Sequence, residues 1–454
     1  MSTRTSVDSP SPPIVEAQAA NPVVGDIERF LRDLVTRLEP VRPDAMVQER
    51  GRPRILPALA LWAGLLVCVL ERWRHQAGLW RLLSDGHLWS YPAYPVTDQA
   101  VYHRLERDGT TPLHHLWEQV THALRERLAP YADLTLASFA TEVIALDQVK
   151  LDQVARWLPA LRGVPGGDDR RLPGAMGALF DLRRQQWRAL EYHADVHQNE
   201  KVAARSLAEQ LPSGSLILAD LGYFGFAWFD WLTDHQYFWV SRLRQKTCFT
   251  LAHTGYHQGE VLDAIVFLGA HRADRMAHAV RLVQFTVGGT TFRYVTNVLD
   301  PSRLPMREIA RLYARRWDIE LAFNLIKTHL GLHLLWSAKT VVIHQQIWAV
   351  LIISQILQAL RLEIAGRAGV DPFEVSMSLL VQYAPRYARQ GRDLVEAFVT
   401  SGRRLGFIRP SSRTRIQAPT IPPDQFTPMP EGLVLNRSPR YAGRKAGSRS
   451  AQSD

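Results

Sequence analysis

A mixed α/β architecture, a sheet flanked by helices behind an all-helical stretch, is the fold class this sequence predicts. Three observations carry it. From about residue 26 to 135 every patterned segment has helical spacing. After Asp133 apolar runs of strand length follow one another in the order β-β-β-α-β, an antiparallel trio and then a helical crossover into a further strand, which implies a mixed sheet. Helical patterns resume near Pro305 and continue to about residue 405. At 454 residues the chain exceeds what one core usually serves, so two or three structural units are expected.

Taken in order, residues 1–25 begin MSTRTSVDSPSPP and lack the apolar stretch of a signal peptide, so a disordered leader is expected. Residues 26–135 hold DIERFLRDLVTRLEP, an apolar helix over 55–75, TDQAVYHRLERDG, which Thr97 or Asp98 can cap, and TPLHHLWEQVTHALRERL. Short helices with basic faces suit a DNA-binding domain. Arg50–Pro53, RGRP, resembles the core of a minor-groove hook, although four residues are a weak signal and a charged loop before a helix near Pro57 is the better explanation. Residues 136–245 supply EVIALDQV, GALFDLRRQQ, WRALEYHADVHQ, the helix NEKVAARSLAEQL and the strand SLILAD, then an aromatic segment and the strand YFWVSRLR. Residues 246–302 alternate short β-like pieces with Gly and Thr, which suggests a β-rich insertion. Residues 303–405 return to helices, and 406–454 form a basic, flexible tail.

The composition excludes several classes. An apolar fraction of 46% is that of a globular protein, and two cysteines, Cys68 and Cys248, supply neither a disulfide framework nor a thiolate zinc site. A reducing cytoplasm is the expected location. Of two long apolar runs, 55–70 is short for a membrane span. The other, 341–360, carries His344, Gln345, Gln346, Ser354, Gln355 and Gln358, which suits a buried core helix, so no membrane association is expected. A formal charge of +10 and a pI near 9.8 favour a polyanionic partner. Residues 401–454 alone hold ten Lys/Arg against three Asp/Glu.

Within YARRWDIELAFNLIK, wound as one helix, Tyr313, Arg316, Glu320, Asn324 and Lys327 fall in an arc of roughly 80°. Apolar residues flank that stripe on both sides: Leu312, Ile319, Phe323 and Ile326 on one, Trp317, Leu321 and Leu325 on the other. The solvated face is then expected at Arg315, Asp318, Ala322 and His329. Such a helix aims a carboxylate and two cations inward, which costs several kcal/mol unless they meet partners.

Two further carboxylates end apolar runs, Asp147 in EVIALDQV and Asp220 in SLILAD. With Glu320 they can share one edge of a sheet, where three acids resist joint ionisation unless a cation neutralises them. Oxygen-only ligands suit Mg²⁺ or Mn²⁺, and a pair of such ions can activate water and stabilise the leaving oxygen of a phosphodiester. Taken singly, each residue has a plain explanation. Arg316 and Glu320 are an i,i+4 pair, Asp220 can cap the next helix, and the aromatic run Tyr223, Phe224, Phe226, Trp228, Phe229 and Trp231 is ordinary core. His193 and His197 lack the further soft ligands a metal site needs.

Tyr313, Arg316, Glu320 and Lys327 reproduce a Y-x2-R-x3-E-x6-K signature, and Asp220-Leu221-Gly222-Tyr223 fits a D-x-G-Y/F motif. In both, over roughly residues 140–345, the chain resembles bacterial insertion-sequence DDE transposases of the Tyr-Arg-Glu-Lys group. The resemblance implies an RNase H-like core interrupted by the β-rich insertion before the Glu320 helix. It implies Asp147, Asp220 and Glu320 as catalytic, metal-binding residues for Mg²⁺ or Mn²⁺, and Tyr313, Arg316 and Lys327 as DNA-binding residues. The sequence DQVKLD leaves Asp152 as a rival to Asp147. The expected partners are double-stranded DNA, as transposon ends and target, and a second copy of the chain on that DNA. A structure-specific nuclease of the same fold and a catalytically silent DNA-binding relic are the alternatives.

Overall fold

The computed structural model describes residues 55–441, apart from 74, 87, 89–91, 151–174, 194–199, 270–273, 333–334, 338 and 412–415. The expected leader, the helix near 26–40, RGRP, Asp152, His197 and the end of the basic tail lie outside the described residues.

Among the described residues four helices come first: α1 (Ala58–Leu70), α2 (Ala77–Asp85), α3 (Asp98–Asp108) and α4 (Thr111–Arg127). The Thr97 hydroxyl caps α3 by accepting from the Ala100 amide at 3.2 Å, satisfying a donor that the helix leaves open. From Ala60 to Val69 every residue of α1 is buried, so this helix has no face left to enter a DNA groove. These helices share one apolar core with the C-terminal helices and one face of the sheet.

Among the described residues a nine-stranded sheet runs in the order β3-β2-β1-β4-β5-β9-β8-β7-β6. Strand β1 (Val143–Lys150) pairs antiparallel with β2 (Ala175–Asp181), which pairs antiparallel with β3 (Gln186–His193). Helix α5 (Glu200–Ala208) then leads to β4 (Leu216–Ala219), parallel to β1, and α6 (Phe226–Asp234) to β5 (Phe238–Arg242), parallel to β4. Alternate residues feed two cores. Ala145, Leu218 and Val240 face the large core, while Ile144, Ile217 and Trp239 face a second one with α5 and α6. Burial on both faces explains why these strands read as unbroken apolar runs.

The stretch expected as an insertion forms β6 (Phe249–Gln258), β7 (Val261–Leu268), β8 (Val280–Val287) and β9 (Thr290–Thr296). This meander continues the same sheet, because β9 pairs antiparallel with β5. The expectation of a flexible tail needs correction over 416–441. The Thr427 amide donates to the Gly255 carbonyl at 2.7 Å, the Ala279 amide to the Leu435 carbonyl at 2.7 Å and the Arg437 amide to the Ala277 carbonyl at 2.9 Å, and the Tyr441 hydroxyl donates to Asp230 at 2.6 Å. A chain without apolar pattern is held here by backbone pairing, which periodicity does not report.

Helices α7 (Met306–Arg315) and α8 (Asp318–Asn324), with a π-helical turn Leu325–His329, cover β1 and β5. The 29-residue α9 (Thr340–Ala368) follows, then α10 (Met377–Arg389) and α11 (Leu394–Thr400). Helix α9 is apolar and long enough to cross a membrane, but it is almost wholly buried inside the protein, and its amides bind other elements. Gln345 donates to the carbonyls of Leu105 (2.7 Å) and Gly109 (2.6 Å). Gln355 accepts from the Trp187 amide at 2.8 Å and donates to the Trp187 carbonyl at 3.0 Å, as a neighbouring strand would. One side chain thereby blunts the β3 edge of the sheet.

Candidate active site

Register brings the first two carboxylates together. Leu146 stands opposite Ala219 in the parallel pair β1·β4, so the next residues, Asp147 and Asp220, occupy neighbouring positions. The pleat turns Asp147 to the face of Ala145 and Val149, where α8 packs against β1. Asp147 lies inside its strand, with three more residues to Lys150, whereas Asp220 follows the last residue of β4. The Asp220 side chain caps nothing in the turn that follows, so the plain explanation offered by its position is not realised.

Glu320 comes from α8, and Arg316 joins the set. The Arg316 guanidinium donates to Glu320 Oε1 at 2.9 Å and stands 3.8 Å from Asp220 Oδ1. Arg316 is the buried member, its side chain 4% exposed against 34% for Glu320 and 53% for Asp220. Its guanidinium carbon lies 4.9 Å from the centre of the Trp317 ring and 5.8 Å from that of Tyr313. Burial pushes the Asp147 carboxyl up to about 6; the Gln148 amide, at 2.8 Å, and Arg316 pull it down, and Glu320 and Asp220 push it up again. Glu320 and Asp220 therefore both act on Asp147. Burial likewise raises the Tyr313 hydroxyl, with Arg316 opposing.

Tyr313 and Arg316 are both buried, and Lys327 is half-buried in the π-helical turn. The stripe thus begins inside the protein and runs outward. Its expected flanks are corrected. Trp317 and Leu321 are exposed, at 55% and 46%, while Asp318 and Ala322, expected in solvent, are buried. Asp318 is held by Arg315 at 2.7 Å and by the Gln185 amide at 2.9 Å. Arg315 reaches Asp133 as well. A wheel places charges by period alone, but a charge goes inward where another segment supplies its partner.

The sequence argument also passed over Arg242 and Arg244. Arg242 ends β5, exposed beside the end of β4, and lowers the proton affinity otherwise raised by burial at Tyr313. Arg244 donates to the Leu221 carbonyl at 3.2 Å, next to Asp220. Two cations after a strand parallel to the Asp220 strand were the available signal, since ligands of such sheets gather at the carboxyl ends of strands. His193 forms a distant 3.9 Å contact with Glu191. The aromatic residues Tyr223, Phe224, Trp228 and Phe229 are core.

Hard oxygen donors that repel one another are the donor chemistry of an Mg²⁺ or Mn²⁺ site. Among the described residues, no three His, Cys, Asp or Glu side chains stand together as a ready metal-ion site. The cation among the three carboxylates is instead Arg316.

Residues 166–356 match the family described as Transposase DDE domain, a segment that includes Asp220 and Glu320 and begins after Asp147. Over 174 residues the chain is 27% identical to "Putative transposase y4zB" of Sinorhizobium fredii (strain NBRC 101917 / NGR234), an alignment covering 36% of this chain and 47% of the relative. The chain therefore spans about half the length of that curated relative. A solved structure, the piggyBac transposase synaptic complex with hairpin DNA, aligns with a TM-score of 0.40 at 10% identity, covering 90% of this chain and 88% of that one.

Proposed function

We propose that the protein is an insertion-sequence DDE transposase of the Tyr-Arg-Glu-Lys group, with an RNase H-like core and Asp147, Asp220 and Glu320 as its triad. The observation that carries this is the register of β1 and β4, which sets Asp147 beside Asp220 beneath the helix of Glu320. The β3-β2-β1-β4-β5 half of the sheet, with β1, β4 and β5 parallel, supports the RNase H-like assignment. The match over 166–356 supports the class of enzyme.

In this reading a water oxygen attacks phosphorus at the element's end, the bond to the 3′ oxygen breaks, and a 3′-hydroxyl is freed. That hydroxyl loses its proton and attacks a target phosphorus in line, expelling the target's own 3′ oxygen. Asp147, Asp220 and Glu320 would hold Mg²⁺ or Mn²⁺, which when bound supplies Lewis acidity toward the attacking and leaving oxygens. No protein nucleophile is needed. Tyr313, Arg316, Lys327 and Arg242 would hold the strand by its phosphates, setting register without reading sequence. The substrate is double-stranded DNA, the working unit a homodimer on paired ends, and the location the bacterial cytoplasm.

The test uses the full chain, Mg²⁺, and a duplex carrying the inverted repeats that flank the gene. Cleavage with joining of the end to a plasmid is expected. Cleavage without joining selects the nuclease, and end binding without cleavage selects the silent relic. Light scattering with and without the duplex measures whether a dimer forms on DNA.

A further inference from the structure

We propose that Arg316 is a built-in counter-cation of the carboxylate site, which must withdraw before a divalent ion is held and which DNA draws away by offering a phosphate to the same guanidinium. The inference deepens the transposase assignment and rests on it for the identity of the ion.

Its first support is position. The guanidinium bonds Glu320 at 2.9 Å, approaches Asp220 at 3.8 Å and acts on Asp147, so one buried positive charge serves three acids. A second cation brought to the same carboxylates meets repulsion at close range in a half-buried setting, where charges are weakly screened.

The second support is incomplete bonding. A guanidinium has five N–H donors in a rigid plane, and two buried arginines that hold this fold engage all three of their nitrogens. Arg281 donates to both Asp263 oxygens, at 2.7 and 2.6 Å, and to the Leu304 carbonyl at 2.6 Å. Arg183 spends its nitrogens on the carbonyls of Leu136, Thr141, Ala137 and Ala140. Arg316, equally buried, bonds Glu320 and the Tyr313 hydroxyl, but its Nε has no partner among the described residues. A buried donor left open costs roughly 1–3 kcal/mol; Arg184, paired with Asp181, leaves its Nε open as well, so the open donor counts here together with the position of Arg316 among the acids. The two acids it does meet both reach solvent, and the Trp317 ring at 4.9 Å is itself half in solvent. The side chain therefore has an outward path beside a solvent-exposed ring, toward the side from which DNA would come.

Linkage makes the arrangement useful. If DNA removes Arg316 from the carboxylates, DNA raises affinity for the ion, and the ion raises affinity for DNA by the same factor. The acids would thus charge with metal mainly on DNA, which limits stray hydrolysis.

Calorimetric titration of Mn²⁺ into the DNA-free full chain tests this. Arg316→Gln and Arg316→Ala are expected to bind Mn²⁺ about tenfold more tightly than wild type, within the range usual for coupled sites. Adding Asp220→Asn to either variant should abolish the gain, which locates it. A duplex oligonucleotide should tighten Mn²⁺ binding to the wild type and add much less in Arg316→Gln. If a variant is too unstable without metal, its melting temperature should rise more with Mn²⁺ than that of the wild type. Unchanged or weaker Mn²⁺ binding in both variants, or an equal effect of DNA in wild type and Arg316→Gln, overturns the proposal. These are binding readouts, so they separate the two claims. A protein that shows the gain but never cleaves DNA refutes the transposase assignment alone, and one that joins DNA without the gain refutes this inference alone.

Discussion

Arg315 and Arg316 are chain neighbours, each bonded to an acid a few residues further along the chain, yet one set is sealed in its bonding and the other open. Asp318 is fully buried between Arg315 and the Gln185 amide, and Arg315 spends its remaining donors on Asp133 and the Leu182 carbonyl. Each Arg315 nitrogen ends on a protein oxygen, although Arg315, Asp133 and Gln185 also line a pocket that opens to solvent. One residue later, Arg316 faces two acids that reach water and leaves one nitrogen unpaired. The difference teaches that an inward-pointing ion pair says little about function until its neighbours are counted. A closed network fixes the fold, and an open one is available to a ligand.

The largest effect that sharpens this comparison is on chemistry. Asp147→Ala, Asp220→Ala and Glu320→Ala should each lower Mg²⁺-dependent end cleavage by at least about 10³-fold, the scale of losing electrostatic stabilisation at a reacting centre. Circular dichroism and end binding should be retained. Full activity in any one removes that residue from the triad, and an inactive Asp152→Ala beside an active Asp147→Ala would reassign the first position.

On the sealed side the expected loss is in stability. Asp318→Ala should cost about 3 kcal/mol or more in urea unfolding, because it strands a buried arginine. Glu320→Ala should cost less, since its carboxylate reaches water and Asp220 remains near Arg316. Equal losses in the two variants would erase the distinction drawn here.

Smaller still is the pH dependence of the open set. The Asp147 carboxyl is raised from an ordinary 3.8 to about 6, so the folded state binds its proton more tightly than the unfolded chain does. Its ionisation therefore opposes folding above about pH 6, and the penalty fades as pH falls through that value toward the unfolded one. Asp147→Asn should be more stable than wild type by about 1–3 kcal/mol at pH 8, with the two converging near pH 4. Unfolding curves at several pH values decide it, and a constant difference would show that burial is not the dominant cause.

The smallest effect concerns the outer end of the stripe. Lys327→Ala should weaken end binding across sequences and reduce the salt slope by about one unit of log K per log salt. Its melting temperature should change little, because Lys327 sits half in solvent. An unchanged slope with a large drop in melting temperature would make Lys327 structural.

Much of the scaffold was legible in local pattern. Strand-length apolar runs placed β1 to β5, the Thr97 cap placed α3, and the glutamines of α9 marked a core helix. The two strand-terminal acids and the glutamate stripe were legible as well, because their types and neighbours are properties of short segments. What exceeded local pattern was partnership. The wheel that put Asp318 in water and Trp317 inside assumed an unbroken 3.6-residue period, whereas α7 ends at Arg315, α8 starts at Asp318 and a π turn begins at Leu325.

By itself the amino-acid sequence determined which segments are helix or strand, which acids are candidates for the site, and that a basic protein of this make-up suits a polyanionic partner. Tertiary structure alone decided that β6–β9 extend the sheet rather than stand apart, that 416–441 lie along that extension, and that Arg316 rather than Arg315 faces the acids of β1 and β4. The reason is range. Periodicity and capping act within a few residues, but a charge is buried or left open by groups such as Asp133, Gln185 and Asp220, roughly a hundred or more residues away, whose positions exist only once the sheet has set its register.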